Sequence, residues 1–521
     1  MNKKLMCWLL AFALVLVSGG DRLILPVGAD IITDGVMDGS ETITMMPDFT
    51  DDEVLVVLTH EASLQFIDYT LDDFPEIECV EISDLSTGKG AVVKAVLSGE
   101  QLRMDSIGAR FMNQDIDIDG FRRILYIRLA NPSKGNVLRA VAALEQRDDI
   151  YSAEPNYIIQ VNEPEAAVSP TATETDYTWA ADKIQLEDAW DIETGSNTVY
   201  VGILDSGIDD SHPELDNKVR NSLCVNYVND GGSATSDPIG HGTAIAGIIA
   251  AKHNDDAVGF SGVCQLVRLV SLRVAGGLAG MRNADFINAL NYARVNDIAI
   301  LNISLGFSDT VEPTALHEAI SNYDGLIVWG AGNSNRNYDE DDSAPSYWEH
   351  ANVIVVGAST SSDTRCSFSD YGITAVDLFA PGDNVLSCIP YSLCPASNCT
   401  SSYHVHRGYH RTSGTSFAAP FVAGVAALII ARHSDATAAT VKQVLINSVD
   451  SVSALRNLCL SGGRLNAYNA ITSKFLHNDS TYTSVSALYH RVSCNDCDAT
   501  WLEEHAERPG VETCVYCGEI L

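Results

Sequence analysis

Short apolar runs alternate with longer helix-like stretches over residues 177–473. The short runs have the length of buried strands, and the longer stretches have the length of helices. This alternation is typical of βαβ units, which gather parallel strands into one sheet and cover both of its faces with helices. We therefore expect an α/β domain with a doubly wound, mostly parallel sheet. The segments that carry the pattern are residues 199–204, 244–251, 267–272, 284–295, 298–305, 326–328, 353–356 and 417–431.

A smaller α/β pattern precedes this domain, with its core at about residues 51–161. Apolar runs at 54–58, 124–129 and 157–161 predict strands, and residues 137–147 predict a helix. Residues 163–176 are small, polar and proline-containing, which indicates an exposed linker. The predicted organisation is a leader at 1–20, an N-terminal module at 21–165, a linker at 166–176, the large α/β domain at 177–473 and a short cysteine-rich tail at 474–521.

The first 20 residues have the layout of a secretory signal. Lys3 and Lys4 precede an apolar run at residues 5–17, and small residues follow at 18–20. We expect export to the extracellular medium. The apolar run is shorter than the ~20 residues that span a bilayer, so we expect no transmembrane anchor after the leader is removed.

Acidic residues outnumber basic ones by 69 to 32, which gives a formal net charge of −37. Such a surplus excludes nucleic acid and anionic lipid as partners of the whole chain and favours solubility in an extracellular or saline medium. With 46% hydrophobic residues, the chain is expected to fold around a full-sized core, which excludes disorder, collagen and coiled coil.

Twelve of the 13 cysteines lie beyond the leader. The tail carries two Cys-x-x-Cys pairs whose spacing fits a four-thiolate structural zinc site. Export also permits two disulfides, and the sequence leaves both readings open. The four tail cysteines are Cys494, Cys497, Cys514 and Cys517. No run of the sequence resembles an EF-hand calcium loop, and no calcium ligands can be assigned from Asp209, Asp237 or Asp383.

A carboxylate and an imidazole stand at the ends of two predicted elements. Asp205 follows the apolar run 201–204 and precedes a Ser-Gly pair, so it lies where a buried strand ends in a tight turn. The carboxyl edge of an open α/β sheet is where sites form. His241 has a glycine on each side and directly precedes the predicted helix at 244–251, and glycine allows other groups to approach it closely.

A hydroxyl and an amide complete the set. Ser416 lies in the run Gly-Thr-Ser-Phe-Ala-Ala-Pro before an apolar helix. Pro420 is acceptable only in a first helical turn, so the hydroxyl is predicted at a helix N-terminus, where free N–H groups favour a developing negative oxygen. Asn333, after the run 326–328, offers a second donor. Each feature alone is an ordinary structural one. Together they match the nucleophile, base, orienting carboxylate and oxyanion donors of a serine hydrolase.

Six segments resemble the subtilisin-like serine proteases, and the order Asp, His, Ser is that of this family. They are VGILDSGIDDSHPEL, GHGTAIAGIIA, NISLG, GAGNSN, APGDNV and SGTSFAAPFVAGVAALI, within residues 179–470. The resemblance implies a serine endopeptidase in which Asp205 orients the imidazole, His241 is general base and then general acid, and Ser416 is the nucleophile. The Asn333 side chain and the Ser416 backbone N–H would form the oxyanion hole.

The same resemblance implies how extended polypeptide substrates bind. Ser304, Leu305 and Gly306 would pair with the substrate as an added strand. One side of the primary specificity pocket would consist of Gly330, Ala331 and Gly332. Small residues leave room there, so we expect a bulky apolar or aromatic residue before the cut. Trp329 stands where smaller residues are commoner in the family.

Residues 124–129 (ILYIRL) and 153–158 (AEPNYI) resemble subtilase propeptides. By this resemblance the N-terminal module assists folding and then acts as an intramolecular inhibitor, with its C-terminal segment laid along the cleft. Cleavage is expected between Val161 and Tyr177. Two alternatives stay open: a catalytically silent subtilase-like scaffold that binds peptides or regulates a partner, and a dedicated maturation protease with one physiological substrate. The presence of all four site residues argues against the silent scaffold.

Overall fold

The structure is a computed structural model that describes most of the chain. The described residues are 24–26, 44–46, 48–65, 69–87, 121–159, 179–228, 230–253, 261–276, 281–305, 313–341, 344–393, 404–406, 408–473, 480–484, 489–494 and 500–504. The predicted leader and linker, as well as Gly306, Cys394 and Cys399, lie outside these ranges.

The N-terminal module is built on an antiparallel sheet with the strand order β6-β3-β5-β4. One helix packs on it and buries Val137, Ala140 and Leu144, which lie at helical spacing. A separate parallel pair, β1 and β2, precedes the sheet. The elements are β1 (Ile24–Pro26), β2 (Thr44–Met46), β3 (Phe49–Leu58), α1 (His60–Leu64), β4 (Cys79–Asp84), β5 (Ile124–Leu129), α2 (Lys134–Leu144) and β6 (Ile150–Ile159).

A nine-stranded sheet forms the centre of the large domain. Its order is β18-β19-β14-β13-β12-β11-β7-β9-β8, and the pairs in it are parallel apart from β18 with β19. The strands of the domain are β7 (Tyr200–Asp205), β8 (Val225–Asn226), β9 (Arg268–Arg273), β10 (Met281–Arg282), β11 (Ile300–Ile303), β12 (Leu326–Gly330), β13 (Val353–Ser359), β14 (Leu378–Pro381), β15 (Val385–Cys388), β16 (His404–His406), β17 (Tyr409–Thr412), β18 (Asp450–Ser451) and β19 (Gly463–Arg464). Strands β15, β17 and β16 form a small antiparallel sheet.

Helices cover both faces of the large sheet, as expected for a doubly wound domain. They are α3 (Trp179–Lys183), α4 (Leu186–Trp190), α5 (His241–Ala250), α6 (Asn283–Val295), α7 (Thr314–Ser321), α8 (Tyr338–Asp341), α9 (Thr415–Arg432), α10 (Ala438–Asn447) and α11 (Ala467–Ile471). Strand β12 shows why the strands are apolar throughout. Leu326 and Val328 join the core beneath α5 and α9, whereas Ile327 and Trp329 join the core beneath α6 and α7.

The helix that carries Ser416 begins earlier than the sequence suggested. It runs from Thr415 to Arg432, so Pro420 is its sixth residue and lies beyond the first turn. The expectation of a first-turn proline was wrong for a local reason. Proline lacks the N–H that would bond the carbonyl four residues earlier, that of Ser416, and the Ser304 hydroxyl donates to that carbonyl at 2.9 Å instead.

Helix α9 is also, among the described residues, the one helix whose length and composition would suit a membrane span. Its 18-residue apolar window is 83% buried inside the protein. A helix buried to this extent is a core helix packed against a sheet.

The tail has a three-stranded antiparallel backbone sheet made of β20 (Ser480–Ser484), β21 (Tyr489–Cys494) and β22 (Thr500–Glu504). Cys494 ends β21, whereas Cys497, Cys514 and Cys517 lie outside the described residues. The cysteines with described side chains are free thiols, namely Cys79, Cys224, Cys264, Cys366, Cys388 and Cys459.

Candidate active site

Asp205 and His241 form a hydrogen-bonded pair at the carboxyl end of strand β7. Asp205 is 1% exposed. The imidazole Nδ1 of His241 lies 2.8 Å from its Oδ1 and 2.9 Å from its Oδ2. Because a carboxylate accepts, Nδ1 carries the hydrogen and Nε2 keeps its lone pair. The pair therefore presents a basic nitrogen on the side of the ring away from Asp205.

A glycine after His241 permits the close approach of the His241 and Asp205 backbones. Gly242 follows His241 at the start of α5, and a Cβ placed on it would overlap the Gly207 carbonyl and lie 3.2 Å from the Asp205 side chain. The strand end and the helix start can approach this closely only because no side chain lies between them. The glycine after His241 thus has the close-packing role that the sequence indicated.

A second buried carboxylate, Asp237, holds the loop before His241. It accepts hydrogen bonds from the Ser206 hydroxyl at 2.8 Å, from the Gly240 N–H at 2.7 Å and from the Thr243 N–H at 2.8 Å. Burial raises its pKa, and these donors oppose that rise. Sequence reasoning considered Asp237 only as a calcium ligand. Its position four residues before His241, as a cap for the start of α5, was the signal that could have identified it.

Ser416 is the second residue of α9 and is 6% exposed. Its hydroxyl donates to the Ser304 carbonyl at 3.2 Å. The ring of the next residue, Phe417, packs edge-on against the His241 ring with centroids 5.2 Å apart. The structure thus brings the imidazole beside the first turn of the serine's helix, although the two residues are 175 positions apart in the chain.

The Asn333 amide is oriented by the same helix. Its Oδ1 accepts from the Thr415 N–H at 2.9 Å and from the Thr415 hydroxyl at 3.2 Å. With the oxygen held by Thr415, the NH₂ group is turned away from it and remains a donor. Asp370 supports the loop by accepting from the Ser334 N–H at 2.8 Å, and sequence reasoning missed this residue.

The predicted substrate-binding residues fall on two neighbouring strand ends. Ser304 and Leu305 follow β11 and are buried, and Gly306 lies outside the described residues. Gly330 ends β12, and the Ala331 N–H donates to the Val356 carbonyl at 2.9 Å. Gly332 has a positive φ of 109°, and a Cβ there would overlap the Asp370 carboxylate. Glycine is therefore required at position 332.

The N-terminal module contacts the large domain through β6. Ile158 and Ile159 pair antiparallel with Arg282 and Met281 of β10. Beside this pairing, the Asn156 side-chain oxygen accepts from the Ala284 N–H at 2.9 Å, in the first turn of α6. The module is thus joined to the large domain by both main-chain and side-chain hydrogen bonds.

Glu154 makes a similar contact with α7. Its carboxylate accepts from the Thr314 N–H at 2.8 Å and from the Ala315 N–H at 3.3 Å. Burial raises the pKa of Glu154 to about 7, and the two N–H groups oppose that rise. Two side chains of β6 therefore bond the N-terminal N–H groups of two neighbouring helices, which is the role of a helix cap.

Cation ligands do not gather in the part of the chain with described side chains. There, no group of three or more His, Cys, Asp and Glu residues is arranged to hold a metal ion. Asp209 accepts from Ser211, and Asp383 accepts from Ser413. The side chains of the four tail cysteines lie outside this description.

A serine at a helix N-terminus, a histidine bonded to a buried aspartate and an oriented amide on an open α/β sheet are the groups that a serine hydrolase requires. Residues 196–476 match the model of the Subtilase family, Peptidase_S8. The match spans more than half of the chain, and the chain belongs to this family. It is a serine endopeptidase.

Three relatives illustrate the match. The thermophilic serine proteinase of Bacillus sp. strain AK1 is 32% identical over 342 residues, 65% of this chain and 77% of that protein. Thermitase of Thermoactinomyces vulgaris is 31% identical over 293 residues, 56% of this chain and 94% of thermitase. Subtilisin E of Bacillus subtilis is 33% identical over 254 residues, 48% of this chain and 60% of subtilisin E.

Proposed function

We propose that this subtilase is a secreted endopeptidase made as a self-processing zymogen, with Asp205, His241 and Ser416 as its triad. The observation that carries the proposal is the Asp205–His241 pair at 2.8 Å beside the helix of Ser416. Secretion is supported by the leader at residues 1–20, whose sequence has a basic start and an apolar run.

In the proposed reaction, substrate binding turns the Ser416 hydroxyl from the Ser304 carbonyl towards His241 Nε2. Oγ attacks the scissile carbonyl carbon, and its proton passes to Nε2. The oxyanion accepts hydrogen bonds from the Asn333 NH₂ and the Ser416 N–H. The C–N bond then breaks as the imidazolium returns the proton to the leaving amine. Water, activated by the same imidazole, hydrolyses the acyl-enzyme and restores Ser416.

The proposed role of the N-terminal module is that of a propeptide. Support comes from β6, which adds a strand beside β10 and caps two helices of the large domain through Glu154 and Asn156. This pairing attaches the module to the large domain at a strand other than the proposed substrate edge of Ser304, Leu305 and Gly306. The segment that follows β6 is proposed to lie along the cleft and to block substrates until the module is cut from the domain and released.

Substrate selection is proposed to rest on Ser304, Leu305 and Gly306 for main-chain pairing and on Gly330, Ala331 and Gly332 for the primary pocket. The absence of large side chains at the last three positions favours a bulky apolar or aromatic residue before the cut. Cleavage mainly after Arg or Lys in a peptide library would contradict this pocket assignment.

The zymogen proposal is tested by expressing the full chain as wild type and as Ser416→Ala. The wild type should yield a protein whose new N-terminus falls between Val161 and Tyr177, whereas the variant should keep the module attached and hydrolyse no peptide. Ser362→Ala, which changes an exposed serine outside the site, is the matched control and should process normally. Unchanged processing of Ser416→Ala would overturn the mechanism, and wild type that hydrolyses no peptide would favour the silent scaffold.

For the tail we propose a structural zinc ion held by Cys494, Cys497, Cys514 and Cys517, on the grounds of their paired spacing. Four thiolates with one equivalent of bound zinc are expected in the purified protein. Two disulfides and no zinc would contradict the proposal. Chelation should leave peptide hydrolysis intact, because the proposed chemistry uses no metal.

A further inference from the structure

Trp329 is the largest fully buried side chain described, with 1% exposure. It is the fourth residue of β12, and its indole lies on the sheet face that packs against α6 and α7. The ring contacts the rings of Phe286 and Tyr347, with centroid separations of 5.7 and 5.2 Å. These two aromatic neighbours restrict the orientation of the indole.

The restricted indole makes one directed contact. Its Nε1–H donates to the Leu305 carbonyl at 3.0 Å. Leu305 lies two residues beyond the end of β11, and the β11–β12 register ends at Ile303 opposite Trp329. The side chain of Trp329 therefore holds the chain at the point where main-chain pairing with β12 stops.

The carbonyl just before Leu305 faces the nucleophile. Ser304 O accepts from the Ser416 hydroxyl at 3.2 Å, whereas Leu305 O faces the indole beneath the sheet. The two successive carbonyls thus contact different elements, α9 and β12. Because the two residues are adjacent, a bond that holds the Leu305 carbonyl also restricts rotation of the backbone at Ser304.

We propose that Trp329 is a positioning residue for substrate binding: its indole N–H fixes the edge formed by Ser304 and Leu305, on which an extended polypeptide adds as a strand. The inference rests on the proposed function of Ser416 and of this edge. Main-chain pairing gives affinity only when the edge is ordered beforehand. The contribution of Trp329 should therefore grow with the number of substrate residues before the cut.

The test compares Trp329→Phe with wild type on two substrates: a tetrapeptide amide that pairs along the edge, and an ester of its last residue alone. Loss of one buried donor should lower kcat/KM for the tetrapeptide by about five- to tenfold, mainly through KM. The ester should change less than about twofold, because it makes little use of the edge. The ratio of the two effects is the readout, since a general loss of folded enzyme lowers both equally.

Trp348→Phe is the matched control. Trp348 belongs to the same apolar core and is 8% exposed, and its Nε1 has no hydrogen-bond partner among the described residues. Removing this N–H should leave both substrates unchanged. A second variant replaces Trp329 with benzothienylalanine, which keeps the bicyclic ring and lacks only the N–H. It should reproduce the selective loss even if Trp329→Phe folds poorly.

Equal losses on both substrates, or no loss with the benzothienylalanine variant, would overturn the positioning role. Failure of the proposed function would look different. Wild-type enzyme would then hydrolyse neither substrate, and Ser416 would not react with a fluorophosphonate probe. If the wild type is active and labelled but the Trp329 variants behave like Trp348→Phe, only the inference about Trp329 is rejected.

Discussion

At the residue scale, the position of the His241 imidazole depends on the Ser206 hydroxyl, which lies between two carboxylates. The Ser206 Oγ lies 3.1 Å from Asp205 Oδ1 and 2.8 Å from Asp237 Oδ1, and it accepts from the Gly242 N–H at 3.0 Å. A hydroxyl has one hydrogen, so it donates to one carboxylate at a time. Asp237 has four further donors from its own loop and helix, which fix the position of His241 relative to Asp205.

Asp237→Asn should weaken both folding and catalysis. The asparagine amide has an NH₂ group in place of one of the two carboxylate oxygens. This NH₂ group would face either the Gly240 N–H or the Thr243 N–H, and two donors cannot form a hydrogen bond. We expect a loss of about 1–3 kcal/mol in the free energy of unfolding and a lower kcat with KM little changed. Denaturant unfolding and steady-state kinetics check this. The control is Asp209→Asn, because Asp209 is half-buried and its side chain accepts hydrogen bonds only from Ser211 among the described residues. It should change neither the free energy of unfolding nor kcat. Equal effects of both substitutions would contradict the role given to Asp237.

The element ends that carry the proposed site residues could be predicted from sequence. The residues that hold the neighbouring loops in place by hydrogen bonds could not. Asp205, His241 and Ser416 stand at element ends marked by glycine and by apolar runs, which local sequence reveals. Asp370 and Trp329 act on residues 36 and 24 positions away. No local pattern encodes such a contact, because it exists only once the strands are in register.

At the element scale, the start of helix α9 depends on Pro420 within the helix and on Ser304, which follows strand β11. Pro420 removes the helical partner of the Ser416 carbonyl, and Ser304 Oγ replaces it at 2.9 Å. The first turn of the helix is thereby tied to the end of β11. Since Ser416 lies in that turn, this hydrogen bond fixes the proposed nucleophile against the edge formed by Ser304 and Leu305.

A double substitution tests this tie. Ser304→Ala leaves the Ser416 carbonyl buried without its donor and should cost about 1–3 kcal/mol of unfolding free energy. In Ser304→Ala combined with Pro420→Ala, residue 420 regains an N–H that can bond the same carbonyl, so part of the loss should return. Thermal or denaturant unfolding of the four proteins of the cycle measures the coupling. Strictly additive effects would show that the two residues do not share the carbonyl.

The strands were easier to predict than the helix starts, for a physical reason. The predicted strand at 124–129 coincides with β5, and that at 199–204 differs from β7 by one residue. Helices α5 and α9 begin at 241 and 415, three and two residues before the predicted apolar stretches at 244–251 and 417–431. Both have a glycine N-cap without a side-chain capping bond, so the usual Ser, Thr, Asp or Asn signal is missing.

At the scale of the whole molecule, the contact between module and domain combines a shared apolar core with polar bonds. Leu55, Val57 and Ile124 of the module belong to the same buried apolar core as residues of α6 and α7. Glu154 bonds the start of α7, and Asn156 the start of α6; a further ion pair joins Arg282 to Glu53 at 2.9 Å. The module also carries Arg122, which pairs with Glu318 at 2.9 Å. The apolar part of this contact does not titrate, so a change of pH acts on its charged and hydrogen-bonded groups.

The affinity of the module for the large domain should fall as pH rises. The pKa of Glu154 is about 7 in the contact, against about 4.5 when exposed. A raised pKa means that the protonated form is favoured in the complex. The stabilisation is therefore complete below about pH 4.5 and is lost as pH rises through about 7. We expect the inhibition constant of the separately added module to increase by one to two orders of magnitude, roughly, between pH 4.5 and 8.

Glu154→Gln is the control for this prediction. Glutamine keeps an acceptor for the Thr314 N–H and does not titrate, so its inhibition constant should depend much less on pH. Any pH dependence it retains comes from other titrating groups at the contact, such as Glu318 in its ion pair with Arg122, and from repulsion within a chain whose net charge is −37. Identical pH profiles for wild type and Glu154→Gln would exclude Glu154 as the titrating group.

The central claim is that Ser416 is a nucleophile activated by the Asp205–His241 pair. The most direct measurement is the rate and site of covalent labelling of the mature enzyme by a fluorophosphonate, followed by peptide mapping. We predict a single modified serine at position 416, loss of peptidase activity in proportion to labelling, and labelling slowed by about 100-fold or more in His241→Ala whose module has been removed by an added protease. Modification at another serine, or full peptidase activity after complete labelling of Ser416, would contradict the account.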